Sequence, residues 1–173
     1  MTLITKATYD AYYEPEKILR IENSDPNGFE HIKYYFRLGA IRIRDKIEPL
    51  TTEVTIPPGE YVQVFSLEIF TLSSRVMALL GQCTELFTQD LELSHGLSID
   101  PGYPGMPLTL GIRNNASERR SLQRGMRIGK AIFFDVSESV VEMTSYWAGQ
   151  LKIKESEVKL QAAEKVRRVA DEI

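Results

Sequence analysis

The sequence predicts a mainly β protein with a helical tail, and three observations carry that expectation. Between about residue 31 and residue 140, apolar residues come in short runs rich in β-branched and aromatic side chains, several with the two-residue alternation of a half-buried strand. Pro, Gly, Asn and Asp cluster between these runs, where their backbone preferences favour turns. From Ser156 onward the composition changes to Glu, Lys, Ala and Arg, residues that favour helix. Many short strands at close spacing, joined by turns, form an all-β barrel or sandwich.

The elements follow in order. Residues 1–30 are polar and aromatic-rich, and Pro15 suits the first turn of a short helix over residues 15–21. Residues 23–28 (NSDPNG) form a turn-rich loop. Residues 34–44 alternate apolar and basic over their second half, as a strand with one solvated face does. Residues 52–56 make a β-branched strand closed by Pro57-Pro58-Gly59, and residues 61–70 and 75–80 are again strand-like. The turn Asp100-Pro101-Gly102 is followed by Tyr103 and Gly105, a strand over residues 108–112, and a second turn at Asn114-Asn115. Gly125-Met126-Arg127-Ile128-Gly129-Lys130 feeds a last apolar strand over residues 131–134. In the tail Ser156 is a suitable N-cap, and Ala162, Val166, Val169 and Ile173 fall on one helical stripe. That stripe fits a helix packed on its own domain or on a neighbour. The expected organisation is a β domain over residues 1–150, with residues 1–30 as an extension, and a helical tail over residues 151–173.

Composition narrows the function. A chain of 173 residues can bury the core of one domain. A net charge of −3 lacks the basic surplus of a nucleic-acid binder, so no nucleic-acid partner is expected. No apolar run approaches the roughly 20 residues of a membrane span, and residues 1–6 carry no apolar core of signal-peptide type. Cys83 is the one cysteine, which excludes an intrachain disulfide and points to the cytoplasm. It also excludes the zinc-dependent nucleobase deaminases, which need a Cys-x-x-Cys pair. His31 and His95 lack metal-ligand spacing, so no dedicated metal site is expected.

Four ordered blocks over residues 31–138 carry a family resemblance. They are Tyr35-Phe36-Arg37-Leu38-Gly39, the Pro57-Pro58-Gly59-Glu60 turn with its strand to Leu67-Glu68, the Asp100 to Gly105 turn with its strand, and Gly125 to Lys130. Together they resemble the dUTPase and dCTP deaminase superfamily, with a layout similar to the deaminases. The resemblance implies a dUTPase-like distorted β-barrel or jelly-roll, a homotrimer with nucleotide sites between subunits, and Mg²⁺ held only through the nucleotide phosphates. It implies that Asp100 orients the attacking water and meets the deoxyribose 3′-hydroxyl, tasks that suit a carboxylate acceptor. It implies that Tyr103 packs under the sugar, and that the hairpin from Tyr103 through Gly105 to Asn114 reads the base. Arg127 and Lys130 complete the expected nucleotide-binding set.

Several positions depart from the family pattern. The deaminases place a water-activating glutamate in a Thr-Leu-Glu context, where this chain has Thr109-Leu110-Gly111, with an additional residue at Pro107. Loss of a general base costs about 10²–10⁴ in rate, so standard dCTP deamination is not expected. The family's Arg-Ser-Ser for phosphate aligns with Gln82-Cys83-Thr84, which lacks the guanidinium fork. Ser73-Ser74-Arg75 lies upstream and reads as a strand-edge turn. Lys130 stands where the fourth motif has glutamine, either replacing lost phosphate charge or simply solvated. The tail lacks the Gly-rich, Arg-containing arm that closes dUTPase sites. Three readings follow: deoxypyrimidine nucleotide binding with altered or residual triphosphate hydrolysis; an inactive trimer of this fold with a structural or regulatory role, for instance in a virus or phage; or a working enzyme on a different nucleotide, with Lys130 and groups of a neighbouring subunit at the phosphates.

Overall fold

The computed structural model describes residues 1–43, 46–51 and 53–137. The predicted C-terminal helix and the boundary at residue 150 lie outside the described residues. Thirteen strands are described: β1 (Thr2–Leu3), β2 (Leu19–Glu22), β3 (Phe29–Glu30), β4 (Lys33–Ile43), β5 (Lys46–Pro49), β6 (Val54–Ile56), β7 (Tyr61–Leu72), β8 (Val76–Gln82), β9 (Leu91–Ser94), β10 (Ser98–Ile99), β11 (Pro104–Asn114), β12 (Arg120–Leu122) and β13 (Arg127–Asp135). Eleven join in one curled half-barrel sheet whose main path runs β10-β8-β13-β4-β7-β11-β9. Strand β1 adds to β13, β2 to β7, and β3 and β5 to β4, while β6 and β12 form a separate pair. The mainly β class read from the sequence is the class observed. The described residues contain no helix long and apolar enough to cross a membrane.

Alternation explains which face packs inward. Along β11, Met106, Leu108, Leu110 and Ile112 are buried, while Arg113 is exposed. Along β13, Ile128, Ala131 and Phe133 are buried and join the main core with Phe36, Phe70 and Val76. The rings of Phe36 and Phe133 each pack against Phe70, with centroids 6.4 and 6.2 Å apart. A second, smaller cluster of Ala40, Ile47, Phe65, Leu67 and Ile69 sits apart from it. Strand β7 is thus buried on both faces, which is why its sequence is nearly continuous apolar rather than alternating.

The register is broken where β4 meets β7. Leu38 pairs with Ser66 but Ala40 with Phe65, so β4 carries an extra residue at Gly39. A Cβ at Gly39 would lie 2.7 Å from Leu67 Cα, so the close approach demands glycine. The irregularity brings Glu68 inside, where it is fully buried. Arg37 meets it with its main-chain N and its Nε, each at 2.7 Å. The same guanidinium donates to Asn23 O. Burial pushes the Glu68 carboxyl up, against the pull of Arg37. The Arg-Leu-Gly and Leu-Glu blocks of the sequence therefore form one structural junction.

One predicted element is corrected. The helix expected over residues 15–21 is absent, and β2 occupies residues 19–22 instead. Leu19 and Ile21 are buried and Arg20 exposed, a period of two that outweighs the local signal from Pro15. The N-terminal helical turn lies earlier: α1 (Lys6–Thr8) continues as a π-helical turn over Tyr9–Tyr13. A reciprocal Thr5–Thr8 capping box starts it, and Tyr9 and Tyr13, four apart, bury their rings. A second helical turn that the sequence did not announce, α2 (Thr84–Phe87), follows β8. Strand β4 has the expected 11 residues, shifted by one, whereas β7 and β11 are longer than expected, at 12 and 11 residues.

Candidate functional site

The Asp100 turn builds a small cavity between the end of β10 and the first half of β11. Gly102 adopts φ +80°, which lets the chain reverse after Asp100, and its N–H donates to Ser73 O at 3.0 Å. Gly105, with φ +78°, sits at a bulge in β11, where the register against β7 shifts between Pro104 and Met106. Tyr103 lies between them, and its main-chain O accepts from Leu72 N at 3.0 Å. Its ring is buried and its hydroxyl donates to Pro107 O at 3.0 Å. Burial raises the phenol above its ordinary value, so it remains a neutral hydroxyl.

The resulting cavity holds about 170 Å³, walled by Leu80, Tyr103, Leu108 and Leu110, with Ser98 and Asp100 on its rim. Asp100 Oδ1 accepts from Ser98 Oγ at 3.1 Å, and its second oxygen takes no hydrogen bond from the described residues. Residues 108–110 line the same cavity, ahead of the stretch from Gly111 to Asn114 where β9 pairs with β11, and Leu108 N donates to Ser66 Oγ at 2.8 Å. A carboxylate, apolar walls and a strand edge can hold a flat heterocycle and accept from a hydroxyl.

The other predicted site residues are placed elsewhere. Asn114 ends β11 and is fully buried; its Nδ2 donates to Ile56 O and Glu118 O at 2.9 and 2.8 Å, and its Oδ1 accepts from Ala116 N at 2.9 Å. That side chain ties β6 to the loop before β12. Arg127 opens β13, where it donates to Glu30 Oε1 at 3.0 Å and lies over the Tyr35 ring at 4.8 Å. Lys130 pairs in register with Tyr35 and Gly81, and its stem lies over Gly81. Asp100, Tyr103 and Gly105 are thus brought together at one turn, whereas Asn114, Arg127 and Lys130 do not line the cavity. Among the described residues no group of three or more His, Cys, Asp or Glu side chains converges on a metal position.

The positions that depart from the family pattern are occupied by structure. Gln82 closes β8 and bridges to β9: its Nε2 donates to Leu91 O at 2.7 Å and its Oε1 accepts from Leu93 N at 2.9 Å. Cys83 is buried and donates its thiol to Arg127 O at 3.2 Å. Over Gly111 lies the Tyr61 ring, filling the space where any side chain at 111 would begin. Ser73-Ser74-Arg75 is the turn between β7 and β8, and Arg75 Nη2 donates to Asp135 Oδ2 at 2.7 Å. The bridging role of Gln82 and the cover over Gly111 have no signature in the sequence, since both depend on how strands are placed beside one another.

Comparison with solved structures places this architecture. The dCTP deaminase from Agrobacterium tumefaciens aligns with a TM-score of 0.64 and 17% identity over 85% of this chain and 51% of its own. A point mutant of the dUTPase from S. aureus phage phi11, whose structure coordinates a structural Mg(II) ion, aligns with a TM-score of 0.50 and 14% identity over 72% of this chain and 95% of its own. No family model matches the chain, and no curated protein matches its sequence. The protein has a dUTPase/dCTP deaminase-like fold. It spans about half the length of the deaminase. Identities this low establish a shared fold and leave the chemistry to the residues at the site.

Proposed function

We propose that this protein binds a deoxypyrimidine nucleotide at the Asp100 cavity, with altered or residual triphosphate hydrolysis and without standard dCTP deamination. The observation that supports it is the meeting of Asp100, Tyr103 and residues 108–110 around one cavity. In this reading Asp100 aligns a water and takes its proton as the water oxygen bonds to the α-phosphorus, and the bond from that phosphorus to the bridging oxygen breaks, so that pyrophosphate leaves with the electron pair. Tyr103 packs against the sugar, and the strand edge takes the base. Deamination would need a proton acceptor near cytosine C4, and Gly111 under Tyr61 supplies none. Mg²⁺ would come with the triphosphate, whose charge it neutralises, and needs no cage of protein ligands. Arg127 and Lys130 are the cations this reading assigns to phosphate contact. A homotrimer in the cytoplasm completes the proposal, and the exposed Phe87 and Leu97 offer apolar surface for subunit contacts.

A second reading, an inactive trimer with a structural or regulatory role, draws support from Gln82. At the aligned phosphate position both ends of that amide hold β9, which fixes the side chain in a structural role.

The test is a thermal-shift series with dUTP, dCTP, dTTP and ATP, each at millimolar concentration with Mg²⁺. Binding at a hundred times Kd stabilises by about 2.7 kcal/mol. A shift confined to the deoxypyrimidines supports nucleotide binding, and no shift with any of them supports the inactive trimer. In a pyrophosphate-release assay, Asp100→Asn abolishes any hydrolysis and leaves the oligomeric state unchanged; wild-type activity in that variant removes Asp100 from the mechanism.

A further inference from the structure

The sheet carries apolar side chains on a face that the core does not use. On β8 and β13, Val76, Ala78, Ala131 and Phe133 fill the main core. The residues between them, Met77, Leu79, Ile132 and Phe134, point to the opposite face, because side chains alternate along a strand. Met77 pairs with Phe134 and Leu79 with Ile132, and Leu3 of β1 pairs with Phe134 from the other side. Direct partners in an antiparallel pair hold their Cβ atoms about 4.5–5.5 Å apart, so these five side chains form one continuous apolar patch. The patch belongs to neither core cluster. Leu79 is 36% exposed, and the other four residues are half-buried.

Composition says that this face is covered. An antiparallel sheet with one solvated face alternates apolar with polar residues, yet residues 76–80 (VMALL) and 131–134 (AIFF) are apolar without interruption, the pattern of strands covered on both faces. The chain itself supplies a cover. Strand β13 ends at Asp135, where Val136 N donates to Arg75 O at 2.7 Å and Ser137 N to Asp135 Oδ1 at 2.9 Å. Residue 137 therefore leaves the sheet at the edge of the patch marked by Phe134 and Met77, and residues 138–173 follow it in the sequence. Their composition predicts a helix with Ala162, Val166, Val169 and Ile173 on one stripe. A helix of that length is marginal in water by itself and needs an apolar partner. A tethered segment meets the patch at an effective concentration of about a millimolar, which a separate copy in dilute solution does not match.

We propose that the outer face of β8 and β13 is the docking surface for the C-terminal segment of the same chain, with Val166, Val169 and Ile173 seated on Met77, Leu79, Ile132 and Phe134. A helix laid on the outside of a sheet adds a second layer and gives both apolar surfaces a partner. The inference is independent of the nucleotide-site reading, since no residue of the patch lines the Asp100 cavity.

Thiol labelling of the full chain tests it. Leu79→Cys puts a thiol on the patch, and Cys83, which is buried, serves as the internal reference for an intact fold. With the natural tail, the thiol at position 79 is expected to react slowly with a maleimide. Val166→Glu combined with Val169→Glu is expected to speed that reaction about tenfold or more while Cys83 stays unreactive, and Val169→Leu is expected to keep it slow. Equal rates at position 79 with the natural and the Glu-substituted tail overturn the inference. Protection that grows with protein concentration and ignores the tail substitutions assigns the face to a second copy and overturns it as well. Labelling of Cys83 together with position 79 in the Glu-substituted chain also overturns it, because loss of an outer layer leaves the β core standing.

Discussion

Two regions of this molecule look alike in sequence, as polar residues set among turns, yet the fold uses them in opposite ways. At the Asp100 turn, two glycines with positive φ hold a carboxylate and a tyrosine beside a cavity, and one carboxylate oxygen is left without a partner among the described residues. At the junction of β4, β7 and β11, and at the end of β8, every polar group named here is committed. Glu68 is held by Arg37, Gln82 by the main chain of β9, and Asn114 by three main-chain groups. Burial explains the contrast for Glu68 and Asn114, since a polar group removed from water must find partners within the protein, whereas Gln82 is half-buried and is committed by its place between β8 and β9. A motif residue therefore signals a binding site only when the structure leaves its polar atoms open.

The largest effect expected from breaking this contrast is at the committed junction. Arg37→Ala leaves the Glu68 carboxyl buried without its cation and should cost about 3–5 kcal/mol, measured by urea unfolding. A cost below about 1 kcal/mol would show the pair to be dispensable.

Next comes the covered glycine. Gly111→Glu forces Tyr61 off the sheet and should cost about 1–3 kcal/mol. Tyr61→Ala in the same chain should recover part of that cost, read as a coupling energy in a double-mutant cycle. Strict additivity of the two changes would show that they do not share the space. The single variant should gain no deaminase activity.

A similar magnitude is expected from acid. Burial alone would raise the Asp135 carboxyl, but hydrogen bonds from Arg75, Ser137 and Tyr13 outweigh it and hold the group well below the usual carboxylate range. A depressed folded value means that this stability is fully present above the unfolded aspartate pKa of about 3.9 and is lost as pH falls through the folded value. Asp135→Asn should cost about 2 kcal/mol at pH 7 and flatten the fall in stability below about pH 4. An unchanged acid limb in thermal melts would assign that fall to other groups.

The smallest effect sits beside the cavity. Thr109 Oγ1 is buried without a hydrogen-bond partner. Thr109→Val removes that unmet group and should raise stability by about 1 kcal/mol, seen as a higher urea midpoint at unchanged slope. A loss would mean that the hydroxyl is satisfied in solution, by water or by another subunit.

Local patterning in the sequence was enough to specify six of the thirteen described strands, the five longest among them. The alternation in residues 34–44, the run at 61–70 and the turns at Pro57-Pro58-Gly59 and Asp100-Pro101-Gly102 correspond to β4, β7 and the reversals beside them. These signals are legible because side-chain period and turn chemistry act between near neighbours. The helix expected at residues 15–21 failed for a related reason: a proline's local preference yields to the burial of Leu19 and Ile21 against a distant strand.

The candidate site divides along the same line. That Asp100 and Tyr103 share a turn follows from their closeness in sequence. That Gln82 holds β9, that Tyr61 covers Gly111, that Arg127 is matched by Glu30, and that Asn114 is closed in by Ile56 and Glu118 were decided only by the tertiary structure. Most of these partners are tens of residues apart, and their meeting depends on strand order and register, which no local pattern encodes.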